Sequence, residues 1–439
     1  MSSPLPTAAR LADLPAEPLI THEYERNRPA VLAAQRERHG AVAPVDLLGQ
    51  PVWLVLDHTE AMRVLTDEAH WKKAPAHWRA YREGAVPRDW PLRFVVDSEM
   101  VTFFDDERHA AARAAIDAAI APYQGEGAEA GRLRELITAH ADQLISFLSA
   151  GGGGRGMADL CGQYARPLPL MVANHLLGLP DAEGDDVLMD VWRVLDAGPE
   201  APMAVHRLLA DLRELVEEKR RHPGDDIPSR LLAHAPDAST DEHALHLNMI
   251  LVTTAESTGA LLAGSLVHAL ATDTLDEVDP RELIERTAVA NPPMQNLSLR
   301  FAAADTPLGG VTVAAGDPVM VSPAAAHACP HFTGTDDAPH LAFGAGPHAC
   351  PARPLAETIV TIGIERVRER FGELRLALPP DQLPWRFTPL VTGLRSLPVR
   401  YDVAAPAAQP APAAAEPQPA PPERRSAFWR LLATLRGGR

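Results

Sequence analysis

The most constraining stretch of this 439-residue chain is the loop Phe343-Gly-Ala-Gly-Pro-His-Ala-Cys-Pro-Ala352, which leads directly into a helix-like segment. Its two glycines, Gly344 and Gly346, allow the backbone to turn tightly beneath the sulfur of Cys350. The predicted helix over residues 353–371 directs N–H groups and the positive end of its dipole at that sulfur. We therefore expect an environment that stabilises a thiolate.

A stabilised thiolate acts either as a nucleophile or as a metal ligand. A nucleophilic cysteine requires a histidine base placed beside it by the fold, and His348 is only two residues from Cys350, which is unfavourable for that approach. An axial ligand to heme iron requires a single cysteine on a rigid loop, nearby N–H groups and room for a flat macrocycle. A third interpretation is a buried free cysteine in a glycine-rich turn, because cysteine is often a small core residue.

The loop resembles the heme-binding loop of the cytochrome P450 family, Phe-Gly-x-Gly-x-His/Arg-x-Cys-x-Gly/Ala, and it meets every fixed position, with Ala352 at the last one. The resemblance is to the soluble bacterial type. It implies heme b as the cofactor, Cys350 as the iron ligand, and Phe343 and His348 as further heme contacts. It also implies a mainly α fold with small β-sheets, in which heme lies between a long distal helix and the cysteine loop.

Composition limits the partners and the compartment. The formal net charge of −17 and the isoelectric point near 5.5 argue against nucleic acid as a partner. The three cysteines, Cys161, Cys329 and Cys350, show no paired spacing, which favours a reducing cytoplasm over a disulfide framework. The first thirty residues do not resemble a signal peptide, and no unbroken apolar stretch reaches the roughly 20 residues of a spanning helix. We expect a cytoplasmic protein.

Further cations match the resemblance. His109 and Arg113 are spaced i,i+4 in an alanine-rich predicted helix and share one face, although a solvated helix face would show the same spacing. The family carries His-x-x-x-Arg in its third major helix, which assigns both residues to the heme propionates. Arg300 falls where the family has another propionate-binding arginine. With His348, the predicted cofactor site has three or four cationic partners for the heme carboxylates.

Residues 243–271 form the longest apolar helical pattern, about 40 Å if unbroken at ~1.5 Å per residue. The resemblance makes this the distal helix, where the family places Ala/Gly-Gly-x-Asp/Glu-Thr. Glu256 and Ser257 fall at the acid and alcohol positions of a proton relay, and with the adjacent Thr258 they are the candidate catalytic residues. Thr254 replaces the glycine, and its β-branched side chain would crowd the groove. Hydroxyls that bond back to i−4 carbonyls would explain the same pattern without catalysis.

One family motif is missing. Counted back from Pro292-Pro293, Glu-x-x-Arg should occupy positions 286 to 289, but the chain has Arg286-Thr-Ala-Val289. Some actinobacterial members also lack this motif. Because a buried ion pair can be replaced by packing when both partners are lost, we expect the fold to persist. Other patterns predict helices over 21–39, 57–67, 132–149 and 157–179, a strand over 51–56 and a β-hairpin over 308–321.

The predicted organisation is a heme domain over residues 1–403, an Ala/Pro-rich linker over 404–422 and a basic amphipathic segment over 423–439. The segment is suited to an anionic membrane surface or a partner's groove, and a frayed tail with no role is the alternative. Its apolar stripe consists of Phe428, Leu431, Leu432 and Leu435.

Two functions are consistent with the sequence. The first is a heme-thiolate monooxygenase that oxidises a small apolar substrate with O2. Its electrons would come from a ferredoxin and ferredoxin reductase, because no Gly-x-Gly-x-x-Gly nucleotide-binding motif follows a predicted strand. The second is a degenerate heme-binding relative with a regulatory or partner-binding role. The altered distal helix and the missing Glu-x-x-Arg motivate the second hypothesis.

Overall fold

The computed structural model describes residues 11–150, 154–179, 181–196, 200–335, 338–403 and 427–436. The predicted linker, 404–422, lies outside these ranges. Helices dominate the described chain, as expected from the sequence. The α-helices are α1 (His22–His39), α2 (His58–Thr66), α3 (Arg79–Arg82), α4 (Arg93–Val96), α5 (Asp106–Ile120), α6 (Ala128–Ser149), α7 (Pro167–Leu176), α8 (Asp181–Asp196), α9 (Ala201–Arg221), α10 (Ile227–His234), α11 (Thr240–Thr253), α12 (Gly259–Ala271), α13 (Pro280–Ala290), α14 (Pro323–Ala326), α15 (Arg353–Arg370) and α16 (Ala427–Arg436).

The strands form small sheets at the periphery of the helices. The strands are β1 (Glu17–Pro18), β2 (Val42–Asp46), β3 (Pro51–Val55), β4 (Trp71–Lys72), β5 (Arg155–Asp159), β6 (Arg300–Ala302), β7 (Thr306–Leu308), β8 (Val311–Val313), β9 (Pro318–Val321), β10 (Phe371–Leu376), β11 (Trp385–Phe387), β12 (Thr392–Leu394) and β13 (Pro398–Val403). The largest sheet has the order β1-β2-β3-β9-β6-β4, and a three-stranded sheet has the order β10-β13-β5. Two hairpins, β7-β8 and β11-β12, complete the set.

Local capping explains where several helices begin. The Asp57 side chain accepts hydrogen bonds from the amides of Thr59 and Glu60 at the start of α2. Ser239 accepts from the Glu242 amide at the start of α11. Such caps satisfy amide groups that have no partner within the first turn of a helix. The sequence prediction of a helix over 57–67 is therefore confirmed to within a residue at each end.

The long apolar helix predicted over 243–271 is present, with one local change in winding. It runs from Thr240 to Ala271, and residues Thr254–Thr258 form a π-helical turn between α11 and α12. The whole helix is long and apolar enough to cross a membrane, but 67% of its most apolar window is buried inside the protein. Leu251, Leu262 and Leu266 are fully buried in the largest core cluster. This burial is typical of a core helix.

Two sequence predictions were wrong in detail. The helix predicted over 157–179 begins only after residues 155–159, which pair with β13 as strand β5; it opens with a π-helical turn, Cys161–Ala165, and continues as α7. The hairpin predicted over 308–321 is shorter, since β7 pairs with β8, whereas β9 lies parallel to β3 in the large sheet. Both errors arise from strand partners that are far away in the sequence.

The C-terminal helix α16 packs on the body of the protein. Phe428 is 1% exposed and Leu432 is fully buried, and both belong to the main core cluster with α8 and α15 residues. The Trp429 ring lies 5.1 Å from that of Phe147 on α6. A helix is present in the predicted C-terminal segment, and its residues Phe428, Leu431 and Leu432 face the protein's own core. These three side chains are therefore not free to contact a membrane or a partner in this structure.

Candidate heme site

The cysteine loop is fixed by its own backbone and by contact with α2. The Cys350 amide donates a hydrogen bond to the Phe343 carbonyl at 2.8 Å. Gly344 and Gly346 have φ values of 72° and 68°, a region that side chains rarely adopt. A Cβ atom at Gly346 would lie 2.3 Å from the Leu65 carbonyl oxygen. Glycine is therefore required there by close packing of the loop against the end of α2.

The expectation that the loop alone stabilises a thiolate was wrong. Cys350 is exposed at the surface of the loop. Desolvation by the surrounding protein nevertheless raises the pKa of its thiol. The amide of Ala352, the residue immediately before α15, and the Arg113 charge oppose that shift but do not outweigh it. In the absence of a metal the thiol is therefore protonated at neutral pH. A bound metal ion deprotonates a coordinating thiol directly.

The structure brings together the four predicted propionate partners. The rings of His109 and His348 stack with centroids 3.8 Å apart. Arg113 donates from Nη1 to the Pro347 carbonyl at 2.8 Å, which joins α5 to the cysteine loop. Arg300 enters from β6 and donates to the Leu65 carbonyl at 3.4 Å. These residues come from three elements that are distant in the sequence, as the resemblance predicted.

Sequence reasoning missed two charged residues in this cluster. Glu68 Oε1 lies 3.9 Å from His109 Nδ1 and 3.7 Å from His348 Nε2. Lys73 is buried, and its Nζ donates to the Ser298 hydroxyl at 2.7 Å and to the Leu299 carbonyl at 3.0 Å. Nothing in the Lys72-Lys73 pair distinguishes the buried lysine from its neighbour, so no sequence signal could have found it.

The charges at this cluster are suited to an anionic ligand. Burial lowers the pKa of Arg300 to about 10. Burial also lowers the pKa of His348 far below its usual value, and the nearby charges of Lys73, Arg300 and Arg113 contribute to that shift. Arg300 Nη1 and His348 Nε2 are buried and have no hydrogen-bond partner within the described residues. Carboxylates such as the heme propionates would supply both an acceptor and a compensating charge.

The candidate catalytic residues lie in the π-helical turn of the distal helix. Glu256 and Thr258 are buried, and Ser257 is partly exposed. Glu256 forms an ion pair with Arg386 of β11 that sequence reasoning did not find. Extra turns of this kind recur at functional sites because they open the regular helix. The turn includes Thr254, the residue expected to crowd the groove.

Phe343 lies between two polar groups of the loop's flanks. The Arg353 guanidinium is 5.2 Å from the centre of the Phe343 ring, and the His340 ring centre is 6.0 Å from it. Phe343 thus lies beside Arg353, the first residue of α15. The predicted catalytic turn belongs to the distal helix, which packs against α15.

A mainly α fold that combines a single-cysteine loop, a π-wound long helix and a cluster of arginine and histidine side chains is the combination expected of a heme-thiolate protein. No protein-family model matches the chain. Cytochrome P450-SU2 from Streptomyces griseolus is 30% identical to it over 377 residues, which cover 80% of this chain and 88% of that protein. The 6-deoxyerythronolide B hydroxylase from Saccharopolyspora erythraea is 28% identical over 403 residues, which cover 84% of this chain and 95% of that protein.

The solved structure of CYP154A1 from Streptomyces coelicolor A3(2) matches with a TM-score of 0.74 at 31% identity. The match covers 88% of this chain and 98% of that chain. The chain belongs to the cytochrome P450 family. It is a bacterial P450 monooxygenase, an oxidoreductase whose cofactor is heme b.

Proposed function

We propose that Cys350 is the thiolate ligand of the heme iron and that His109, Arg113, Arg300 and His348 bind the heme propionates. The observation that carries this proposal is the convergence of two arginines and two histidines beside the cysteine loop, where Arg300 Nη1 and His348 Nε2 are buried and have no hydrogen-bond partner within the described residues. Phe343 contributes to the cofactor site through the same loop, since its carbonyl accepts the Cys350 amide. The site residues thus bind and orient the cofactor, and Arg113 also fixes the loop through its bond to Pro347.

When bound, heme supplies an iron at which O2 is reduced with two electrons and two protons, so that one oxygen atom enters the substrate and the other leaves as water. Glu256, ionised beside Arg386, takes up a proton in the π-helical turn and releases it to Ser257, which passes a proton towards the distal face. Arg386 limits the positions that the Glu256 carboxylate adopts, because the two side chains form an ion pair. Thr258, buried at the end of the turn, supports its shape.

The substrate class we propose is a small, largely apolar molecule. Partly buried Met249, Ile250 and Val252 precede the turn on α11, and all three pack against the main core cluster. The hydroxylase from Saccharopolyspora erythraea acts, by its name, on 6-deoxyerythronolide B. We further propose that electrons come from a ferredoxin and its reductase and that the protein is cytoplasmic.

The test is turnover under 18O2 with a ferredoxin, its reductase and a panel of apolar substrates. We expect at least one substrate to shift the heme spectrum on binding and to yield a product containing one 18O atom. Glu256→Gln should bind that substrate with the same spectral shift and form less product. Binding shifts across the panel without any product would instead favour a regulatory protein that retains heme.

A further inference from the structure

The segment that leads to Cys350 is attached to α13 by two histidines. His327 follows α14, and His340 lies three residues before Phe343. Each imidazole accepts a backbone amide of the loop on one nitrogen and faces α13 with the other. This pair of contacts, the two-histidine bridge, lies outside the cation cluster that we assign to heme.

His327 makes the more complete contact of the two. Its Nε2 accepts a hydrogen bond from the Leu341 amide at 2.7 Å, and its Nδ1 lies 3.1 Å from the Val289 carbonyl oxygen. Because a carbonyl only accepts, the proton must be on Nδ1, which leaves the lone pair of Nε2 for the Leu341 amide. The ring is 8% exposed. His327 therefore joins the last turn of α13 to the start of the cysteine loop.

His340 makes a weaker contact of this kind one residue further along, because its Nε2 approaches Glu285 but has no hydrogen-bond partner within the described residues. Its Nδ1 accepts from the Ala342 amide at 3.3 Å, and its Nε2 lies 3.1 Å from Glu285 Oε2 on α13. The other oxygen of Glu285 accepts from Arg353 Nη2 at 2.6 Å. Since Arg353 begins α15 just after Cys350, one carboxylate of α13 reaches both flanks of the loop.

The protonation states agree with these roles. Burial lowers the pKa of His327 to about 4, and the nearby His340 and His58 rings add to the shift. Burial also lowers the pKa of His340, with Glu285 opposing the shift and Arg353 reinforcing it. Both imidazoles are neutral at pH 7, which is the only form that has a donor on one side of the ring and an acceptor on the other.

We propose that His327 and His340 are positioning residues that hold the Leu341–Cys350 segment against α13, so that the cysteine sulfur keeps its place beneath the iron. The bridge occupies the region where the family's Glu-x-x-Arg is missing. Val289 offers only its carbonyl, and Arg286 pairs with Glu282 on the surface of α13. The proposal rests on the assignment of Cys350 as the heme ligand.

The main variant is His327→Phe, which removes both hydrogen bonds and keeps a ring. The matched control is His243→Phe on α11, where a buried histidine contacts the Ala235 carbonyl at 3.0 Å, far from the loop in sequence. His327→Gln keeps one donor and one acceptor. It tests the same contacts in case the phenylalanine variant does not fold. All are compared with the wild-type holoprotein.

The readouts are hydrogen exchange of peptides covering residues 339–350 and the rate of heme transfer to apomyoglobin. We expect His327→Phe to raise both by about tenfold, as for the loss of one or two buried hydrogen bonds, and His243→Phe to leave both near the wild-type values. His327→Gln should fall between wild type and His327→Phe. Equal effects of His327→Phe and His243→Phe would overturn the proposal.

Failure of the ligand assignment would look different. If the wild-type protein bound no thiolate-ligated heme, the reduced carbon monoxide complex would lack its red-shifted band, whatever the exchange data showed. If that band was present and the 339–350 peptides exchanged equally in all variants, the ligand would stand and only the two-histidine bridge would be rejected.

Discussion

Glu256 in the π-helical turn of the distal helix forms an ion pair with Arg386 of β11, and the two side chains are only 10% and 13% exposed. The β11-β12 hairpin is thereby attached to the helix that carries the candidate catalytic residues. A charge this far from water depends on its partner, because removal of one partner leaves the other unpaired in a poorly hydrated site.

Arg386→Met should therefore destabilise the protein. We expect a loss of about 3 kcal/mol in the free energy of unfolding, measured by urea denaturation with heme bound. Arg395→Met, an exposed arginine at the end of the same hairpin, should change the unfolding free energy by less than about 0.5 kcal/mol. Equal effects of the two substitutions would show that the Glu256–Arg386 pair contributes nothing to stability.

Glu256→Gln should separate substrate binding from oxygenation. The amide keeps the size of the side chain but cannot take up and release a proton. Product formation should therefore fall by at least about tenfold while electrons from the ferredoxin are still consumed. The measurement is product formed per electron pair supplied. The reduced carbon monoxide spectrum serves as the control, since Glu256 has no hydrogen bond or ion pair with the cysteine loop within the described residues. Unchanged coupling would remove Glu256 from the relay.

Stability should decline with acidification well above the range in which carboxylates titrate. His246 accepts a hydrogen bond from the Val101 amide, and burial lowers its pKa, like that of His327, to about 4. The contribution of each to stability is fully present above the unfolded-state pKa near 6.5. This contribution is lost as pH falls towards 4, because the unfolded chain binds the proton at a higher pH than the folded protein does. For each histidine the free energy of unfolding should fall by up to about 1.4 kcal/mol per pH unit.

The check is the free energy of unfolding measured between pH 7 and pH 4. His246→Gln should reduce the slope over this range, whereas His222→Gln, at an exposed histidine, should leave the slope unchanged. The charges that face His246 include His243 and Arg108, which disfavour its protonation in the folded state as well. A flat profile between pH 6.5 and pH 4 would contradict the neutral, buried histidines.

The docked C-terminal helix should stabilise the protein. Phe428→Ala removes a fully buried ring and should cost about 3 kcal/mol, unless α16 undocks first and limits the loss. Arg430→Ala, on the exposed side of the same helix, is the matched control and should have little effect. Wild-type protein should not sediment with anionic liposomes, because Phe428 and Leu432 already face the core. Sedimentation that depends on residues 427–436 would instead support a membrane role.

The cysteine loop and the long distal helix could be predicted because a short continuous stretch of sequence specifies each of them. His109, Arg113, Arg300 and His348 could be predicted because they match a family pattern at fixed spacing. Their partners could not. Arg386 lies on a short strand more than a hundred residues from Glu256, and Lys73 becomes buried only when β4 pairs with β6. Periodicity identified the apolar stripe of α16, but it does not indicate which surface the stripe covers.

The same limit applies to the residues that hold the loop. His327 is a single histidine after a four-residue helix, with no motif around it. Its role follows from the Val289 carbonyl and the Leu341 amide, which the fold places on opposite sides of its ring. The missing Glu-x-x-Arg indicated that some other contact must attach α13 to the loop, but the sequence did not identify that contact.

The central claim is that the sulfur of Cys350 ligates the heme iron, and the reduced carbon monoxide difference spectrum tests it most directly. We expect wild-type protein to give the strongly red-shifted band of thiolate-ligated heme and Cys350→Ser to lose that band. Cys161→Ser and Cys329→Ser, at the other two cysteines, should retain it. A Cys350→Ser spectrum identical to that of wild type, or a wild-type protein that takes up no heme, would contradict the account.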